Sequence, residues 1–175
     1  MNLSLTRNDP LNVELVRPDG VALYAVSTPF KMSGQTTKIM KYTAGDGSDA
    51  EASMDEIARI NWHYIKTTRI IYKGEILEVN KFLPRPKKFT ESRCFVAPNG
   101  QTYKWKLGYG WRLKTVGPDP QIVATYHPAN KRADKGRIEV DVSVLDFLDL
   151  VITTWVYMEK TNRDHGGQAN GTSAS

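Results

Sequence analysis

The chain has 175 residues, 40% hydrophobic and 25% charged, which suits one globular domain with a real core and excludes a disordered polypeptide. A single cysteine, Cys94, excludes an internal disulfide and a multi-cysteine zinc site. The net charge of +5 favours an acidic partner such as phosphate, nucleic acid or a membrane surface.

The first ten residues, MNLSLTRNDP, lack the apolar run of a signal peptide, and residue 2 is not the glycine of a myristoylation site. An intracellular, cytoplasmic protein is expected. The sequons at Asn2 and Asn170 are read as chance matches.

From residue 12 most of the chain alternates with period two, the pattern of half-buried strands. NVELVR (12–17) and VALYAVST (21–28) flank Pro18-Asp19-Gly20, where proline presets φ and glycine accepts a positive one. TTKIMKYT (36–43) reads as a third strand and the small, acidic stretch 44–55 as a loop. Ala58, Ile60, Trp62 and Tyr64 share a face, and Lys73-Gly74 turns the chain into EILEVNKFL. Pro84 and Pro86 interrupt the sheet, because each lacks a ladder donor. Asn99-Gly100 is the strongest hairpin signal.

YKWKLGYGWRLK (103–114) follows. Its odd positions are large and apolar, with Tyr109 among those expected to face inward, and its even positions are basic or glycine. Gly108 and Gly110 are expected to place a bulge or turn in its middle. A turn at 117–120, the strand QIVATYH (121–127), a basic loop at 128–137 and the strand IEVDVS (138–143) complete nine to twelve strands of ordinary length.

VLDFLDLVITTWVYM (144–158) is apolar on every side of a helical wheel, which marks a buried helix. Ser143 is expected to cap it, with Asp146 three residues on. At about 1.5 Å per residue it is too short to span a bilayer core of about 30 Å, and Asp146 and Asp149 add a further cost in lipid. A helix apolar all round needs apolar surface on every side, and a curling sheet supplies it. The expected fold is mainly β: an antiparallel β-barrel wrapped around a buried C-terminal helix at about 144–160, forming one domain over 1–165. Residues 166–175 are expected to be a disordered tail.

LYAVSTP (23–29), EIARINW (56–62), YKW (103–105), VATYH (123–127) and LDLVITTWVYMEK (148–160) carry a resemblance. The chain resembles an uncharacterised domain family of mushroom-forming fungi, domain of unknown function 6593. That family is grouped near the fold of tubby C-terminal domains, LURP-one-related proteins and phospholipid scramblases. The resemblance implies a tubby-like barrel and work on membrane lipids, since tubby domains bind phosphoinositides through basic surface residues. It carries over no catalytic residue, and the cysteine cluster and calcium segment of scramblases have no counterpart here.

Catalytic chemistry finds little support. His63, His127 and His165 are scattered without metal-ligand spacing. Cys94 reads as a small buried strand residue. The GDGSD run (45–49) lacks the ligand spacing of an EF-hand and reads as a solvated loop. No metal and no cofactor is expected, and the reading leans away from an enzyme.

Charge is more informative. Lys104, Lys106, Arg112 and Lys114 should project from one side of a strand pair. Two loops add Lys81, Arg85, Lys87 and Lys88, then Lys131, Arg132, Lys135 and Arg137. Phe82, Leu83 and Phe89 intersperse the first loop, and cations beside exposed aromatics suit an anionic membrane. Nucleic acid is the weaker partner, because aromatics and cations fall on opposite faces and leave no stacking platform. The expected function is a binding module for anionic phospholipid, peripheral at a membrane. A protein-interaction or small-ligand module is the alternative, and an enzyme comes third.

Overall fold

The computed structural model describes residues 1–30, 34–43, 53–63, 67–88, 90–130 and 134–170, with side chains as far as His165. Twelve strands form one sheet. In chain order they are β1 (Asn2–Leu5), β2 (Val13–Val16), β3 (Ala22–Ser27), β4 (Thr36–Thr43), β5 (Ser53–Asn61) and β6 (Arg69–Tyr72). Then come β7 (Glu75–Glu78), a one-turn helix α1 (Val79–Phe82), β8 (Arg93–Val96), β9 (Thr102–Leu107), β10 (Trp111–Thr115), β11 (Ile122–His127) and β12 (Arg137–Val140). A 3-10 segment, Val142–Phe147, leads into helix α2 (Leu148–Asn170).

Every ladder is antiparallel, and the spatial order is β7-β6-β5-β4-β3-β2-β1-β12-β11-β10-β9-β8. Two meanders are therefore joined at the β1–β12 ladder, where Leu3 stands opposite Ile138. The turns form where local chemistry demands them: Gly20, Gly74 and Gly100 all have positive φ, and Lys73 joins Gly74 in the left-handed region.

The inward face is continuous. Leu3, Leu5, Leu15, Tyr24, Ile39, Ile60, Ile70, Trp105 and Leu113 are each 0% exposed. Against them lies α2, in which every residue from Leu150 to Lys160 is buried. The all-round apolar pattern of that segment is thus satisfied within one buried cluster shared by the helix and the inward face of the sheet.

The sheet is open, not a closed barrel. Strands β7 and β8 are its ends and share no ladder. EILEVNKFL does not continue as a strand, since the chain turns helical at Val79 and leaves β7 only four residues long. Val79 and Leu83 are buried in the gap, and the Cys94 N–H donates to the Pro84 carbonyl at 3.0 Å. Prolines at 84 and 86 offer no N–H in return, so irregular chain runs beside β8 in place of a ladder and leaves the edge of β7 unpaired.

Several expectations are corrected. Strand β1 has no counterpart in the sequence reading, and β5 begins at Ser53, inside the segment read as a loop. Strand β12 ends at Val140, short of the expected 143. Asp141, not Ser143, is the cap: its carboxylate accepts the Ser143 N–H at 2.9 Å and opens the 3-10 segment. Helix α2 runs to Asn170, past the expected end near Lys160 and into the segment expected as a tail. Tyr109 is 64% exposed rather than inward, because it tops the β9–β10 hairpin. The remainder of the acidic loop, Tyr64 and residues 171–175 lie outside the described residues.

Asp149 ties α2 to the sheet. Its carboxylate accepts the Tyr24 hydroxyl at 2.6 Å and Lys41 Nζ at 2.9 Å. Burial first, and then Asp149, push the Tyr24 hydroxyl far above its usual range, so it stays a donor. Asp149→Ala removes both acceptor contacts and strands a buried hydroxyl. The expected cost is about 2–3 kcal/mol in a urea melt, the range for a hydrogen bond to a charged group plus an unsatisfied partner.

Candidate functional site

An antiparallel order sends alternate connections to opposite ends of the sheet. One end receives the 6–12, 28–35, 62–68, 79–92, 108–110 and 128–136 connections together with the emerging turns of α2. Contacts confirm the grouping. Asn8 Nδ2 donates to the Asp134 carbonyl at 2.8 Å, Arg163 reaches Asp9 at 3.3 Å, and His165 meets Glu91 at 3.3 Å. The opposite end, where α2 enters, holds Asp19, Asp119, Asp141 and Asp149. The described parts of the expected basic loops are therefore gathered at the end where the helix leaves.

The strand quartet is assembled as expected. In the β9–β10 ladder Lys104 stands directly opposite Lys114, and Lys106 opposite Arg112. Their inward neighbours Tyr103, Trp105, Trp111 and Leu113 are buried, so the four cations share the outer face. None of the four has an ion-pair partner among the described residues. Like charges directly across a ladder repel, so this arrangement costs stability in the free protein.

The loop residues divide. Arg85, Lys87 and Lys135 are exposed and make no ion pair among the described residues, and Lys88 is exposed beside them. Lys81 is paired with Glu78 at 2.8 Å and Arg137 with Glu139 at 3.1 Å. Lys131, Arg132 and Phe89 lie outside the described residues. The expected apolar companions do not face solvent: Leu83 is 0% exposed, and Phe82 packs on Phe95 with ring centroids 6.2 Å apart. Among the described residues, the exposed large aromatics at this end are instead Phe30, at 86%, and Tyr109, whose hydroxyl bonds Asn130.

A cleft of about 220 Å³ opens beside the emerging helix. Trp62 and Tyr157 stack in its wall with centroids 5.5 Å apart and planes 7° from parallel. Lys160 Nζ lies 5.1 Å from the Trp62 ring centre, and the Arg93 guanidinium 5.5 Å from that of Tyr157. Arg85, His63, Asp164 and His165 complete the rim. The sequence reading passed over Arg93, although a signal existed: in the alternation RCFV, Arg93 shares a face with the buried Phe95.

No cluster of His, Cys, Asp and Glu suited to a metal occurs among the described residues. His127 pairs with Glu139 at 3.1 Å, and His63 is an exposed loop residue. Cys94 is half-buried and faces outward, opposite Lys104, contrary to its reading as a core residue. Burial pushes its thiol up against the weaker pull of Lys104, which keeps it protonated at neutral pH.

The model of a family of unknown function, DUF6593, matches residues 8–164. The chain belongs to that family. The matched span of this DUF6593 protein takes in every strand except β1 and the whole buried part of α2. No curated protein and no solved structure matches the chain. Among the described residues no helix is long and apolar enough to cross a membrane.

Proposed function

We propose that this DUF6593 protein is a non-enzymatic module that docks on anionic phospholipid at a cytoplasmic membrane surface. The observation that carries the reading is the β9–β10 quartet, two like-charged pairs facing each other across a ladder with no ion-pair partner among the described residues. An anionic surface removes that repulsion, and each Lys or Arg near such a surface contributes on the order of 1 kcal/mol. The exposed basic loop residues and the aromatics Phe30 and Tyr109 support the same orientation, with the helix-exit end toward the headgroups. Kinship with the tubby, LURP-one and scramblase folds, and barrel-like wrapping of the sheet, belong to this proposal.

The test is co-sedimentation with liposomes, with and without a phosphoinositide, across a salt series. Binding that requires the anionic lipid and falls steeply with salt is the expected result. The fourfold variant Lys104→Gln, Lys106→Gln, Arg112→Gln, Lys114→Gln should melt no lower than the parent and bind such vesicles about 100-fold or more weakly. Undiminished binding would remove the strand face from the site.

One observation favours a second reading, a protein-interaction module. Strand β7 is an open sheet edge, and its Ile76 is 64% exposed. Such an edge can accept a strand from a partner. Failure to bind vesicles at low salt would turn attention there.

A further inference from the structure

Arg93 is the anomaly of the helix-exit end. It is only 7% exposed, and one of its N–H groups donates to the Leu83 carbonyl at 2.8 Å. A guanidinium carries five N–H donors, and the rest of this set has no acceptor among the described residues. No carboxylate lies within ion-pair distance of it there. None of its nitrogens is among the fully buried unpartnered atoms, so the remaining N–H groups open onto the cleft, where the acceptors of a ligand can meet them.

The surroundings deepen the imbalance. Arg85 lines the same cleft, also without an ion pair among the described residues. Burial lowers the proton affinity of Arg93, and the repulsion of Arg85 adds to that, while Tyr157 and Glu91 act in the opposite sense. Glu91 is committed elsewhere, to His165 at 3.3 Å. The third cation, Lys160, is already neutralised by Asp164 at 2.9 Å. Among the described residues, Arg85 and Arg93 are left facing the cleft without an ion-pair partner, since the Asp164 carboxylate in its lining is taken by Lys160.

We propose that this cleft is a binding site for a phosphomonoester group, held between the guanidinium groups of Arg93 and Arg85. A dianionic phosphate matches the two uncompensated charges, which a monocarboxylate would half neutralise, and its oxygens suit the forked N–H geometry of arginine. The volume of about 220 Å³ is below that of pockets for drug-sized ligands and suits a small headgroup. The site is separate from the β9–β10 quartet and does not depend on it. The phosphate can arrive on a lipid headgroup or on a soluble metabolite, and the chemistry of recognition is the same.

The experiment is a thermal-shift and calorimetric titration of the whole chain with inorganic phosphate and with glycerol phosphate, set beside flotation on phosphatidylcholine vesicles doped with equal amounts of phosphatidic acid or of phosphatidylserine. Arg85 is exposed, so Arg85→Gln should fold normally and bind glycerol phosphate about tenfold more weakly, the loss of one charge-assisted contact. Arg93→Lys keeps the charge but loses the fork, and should weaken the same titration by a similar factor. The strand quartet variant should titrate like the parent, which keeps this site distinct from the membrane reading. Saturable binding of glycerol phosphate assigns a soluble ligand. Selective flotation with phosphatidic acid, lost in Arg85→Gln, assigns a lipid. No stabilisation by either phosphate together with equal flotation on both vesicles would overturn the proposal, as would an Arg85→Gln protein that binds as tightly as the parent.

Discussion

Trp155→Ala should lower stability by about 3–5 kcal/mol, the range for truncating a large core aromatic, and depress the melting temperature by about 10 °C for a chain of this size. Trp155 is 0% exposed, sits on the buried stretch of α2, and packs on Tyr126 with ring centroids 5.0 Å apart. It belongs to the one buried cluster that joins α2 to the inward face of the sheet, which places the cost toward the upper part of the range. Trp155→Phe provides the contrast. The indole N–H has no hydrogen-bond partner among the described residues, so its loss removes an unsatisfied donor while the ring contact persists. That variant should cost less than about 1.5 kcal/mol. A parent-like melt for the alanine variant would mean that α2 is not enclosed.

Gly110→Ala should be the second severe lesion, about 3 kcal/mol or more, at the upper end of overpacking costs. A methyl group at Gly110 would stand 2.0 Å from the Tyr126 carbonyl oxygen and 2.9 Å from Cδ of Pro128. The first of these is backbone in the neighbouring strand β11, so relief requires β10 and β11 to part. Gly108, two residues earlier in the same hairpin, is the internal control: its nearest atom would be 3.7 Å away, an ordinary contact. Gly108→Ala should therefore change stability by less than about 1 kcal/mol. Equal chemical-denaturation midpoints for the two variants would refute the close approach at Gly110.

The contrast between the two glycines bears on what the sequence discloses. Asn99-Gly100, Lys73-Gly74 and Asp19-Gly20 were legible as turns because their signal is local: a positive φ is required, and the residue that tolerates it is present. The buried helix was legible because its pattern lacks a polar side. Lys104 and Lys114 were placed together for the same kind of reason, since period two and one hairpin fix their register. What escaped is non-local. Strand β1 is four residues with two inward leucines, and one of its two ladders is supplied by β12, far along the chain. The clash that forbids a side chain at Gly110 comes from Tyr126. Val79 leaves a strand-like pattern because a seam between two sheet edges has to be filled. Arg93 is noticed as unusual once the carboxylates that could have met it are seen to be engaged by His165 and Lys160.

The spatial order of strands also sets a schedule for synthesis. Strands β1 to β7 emerge first and pair with their sequence neighbours, so each hairpin can form as soon as it leaves the ribosome. The resulting half-sheet presents a greasy concave face with nothing to cover it, because α2 follows all twelve strands. The second meander grows back toward the start, and the β1–β12 ladder is the last to be zipped. A nascent chain of this architecture therefore carries an unprotected apolar surface for most of its translation. Its yield in the cell should depend on holding factors that act before the helix arrives, more than on the stability of the finished fold.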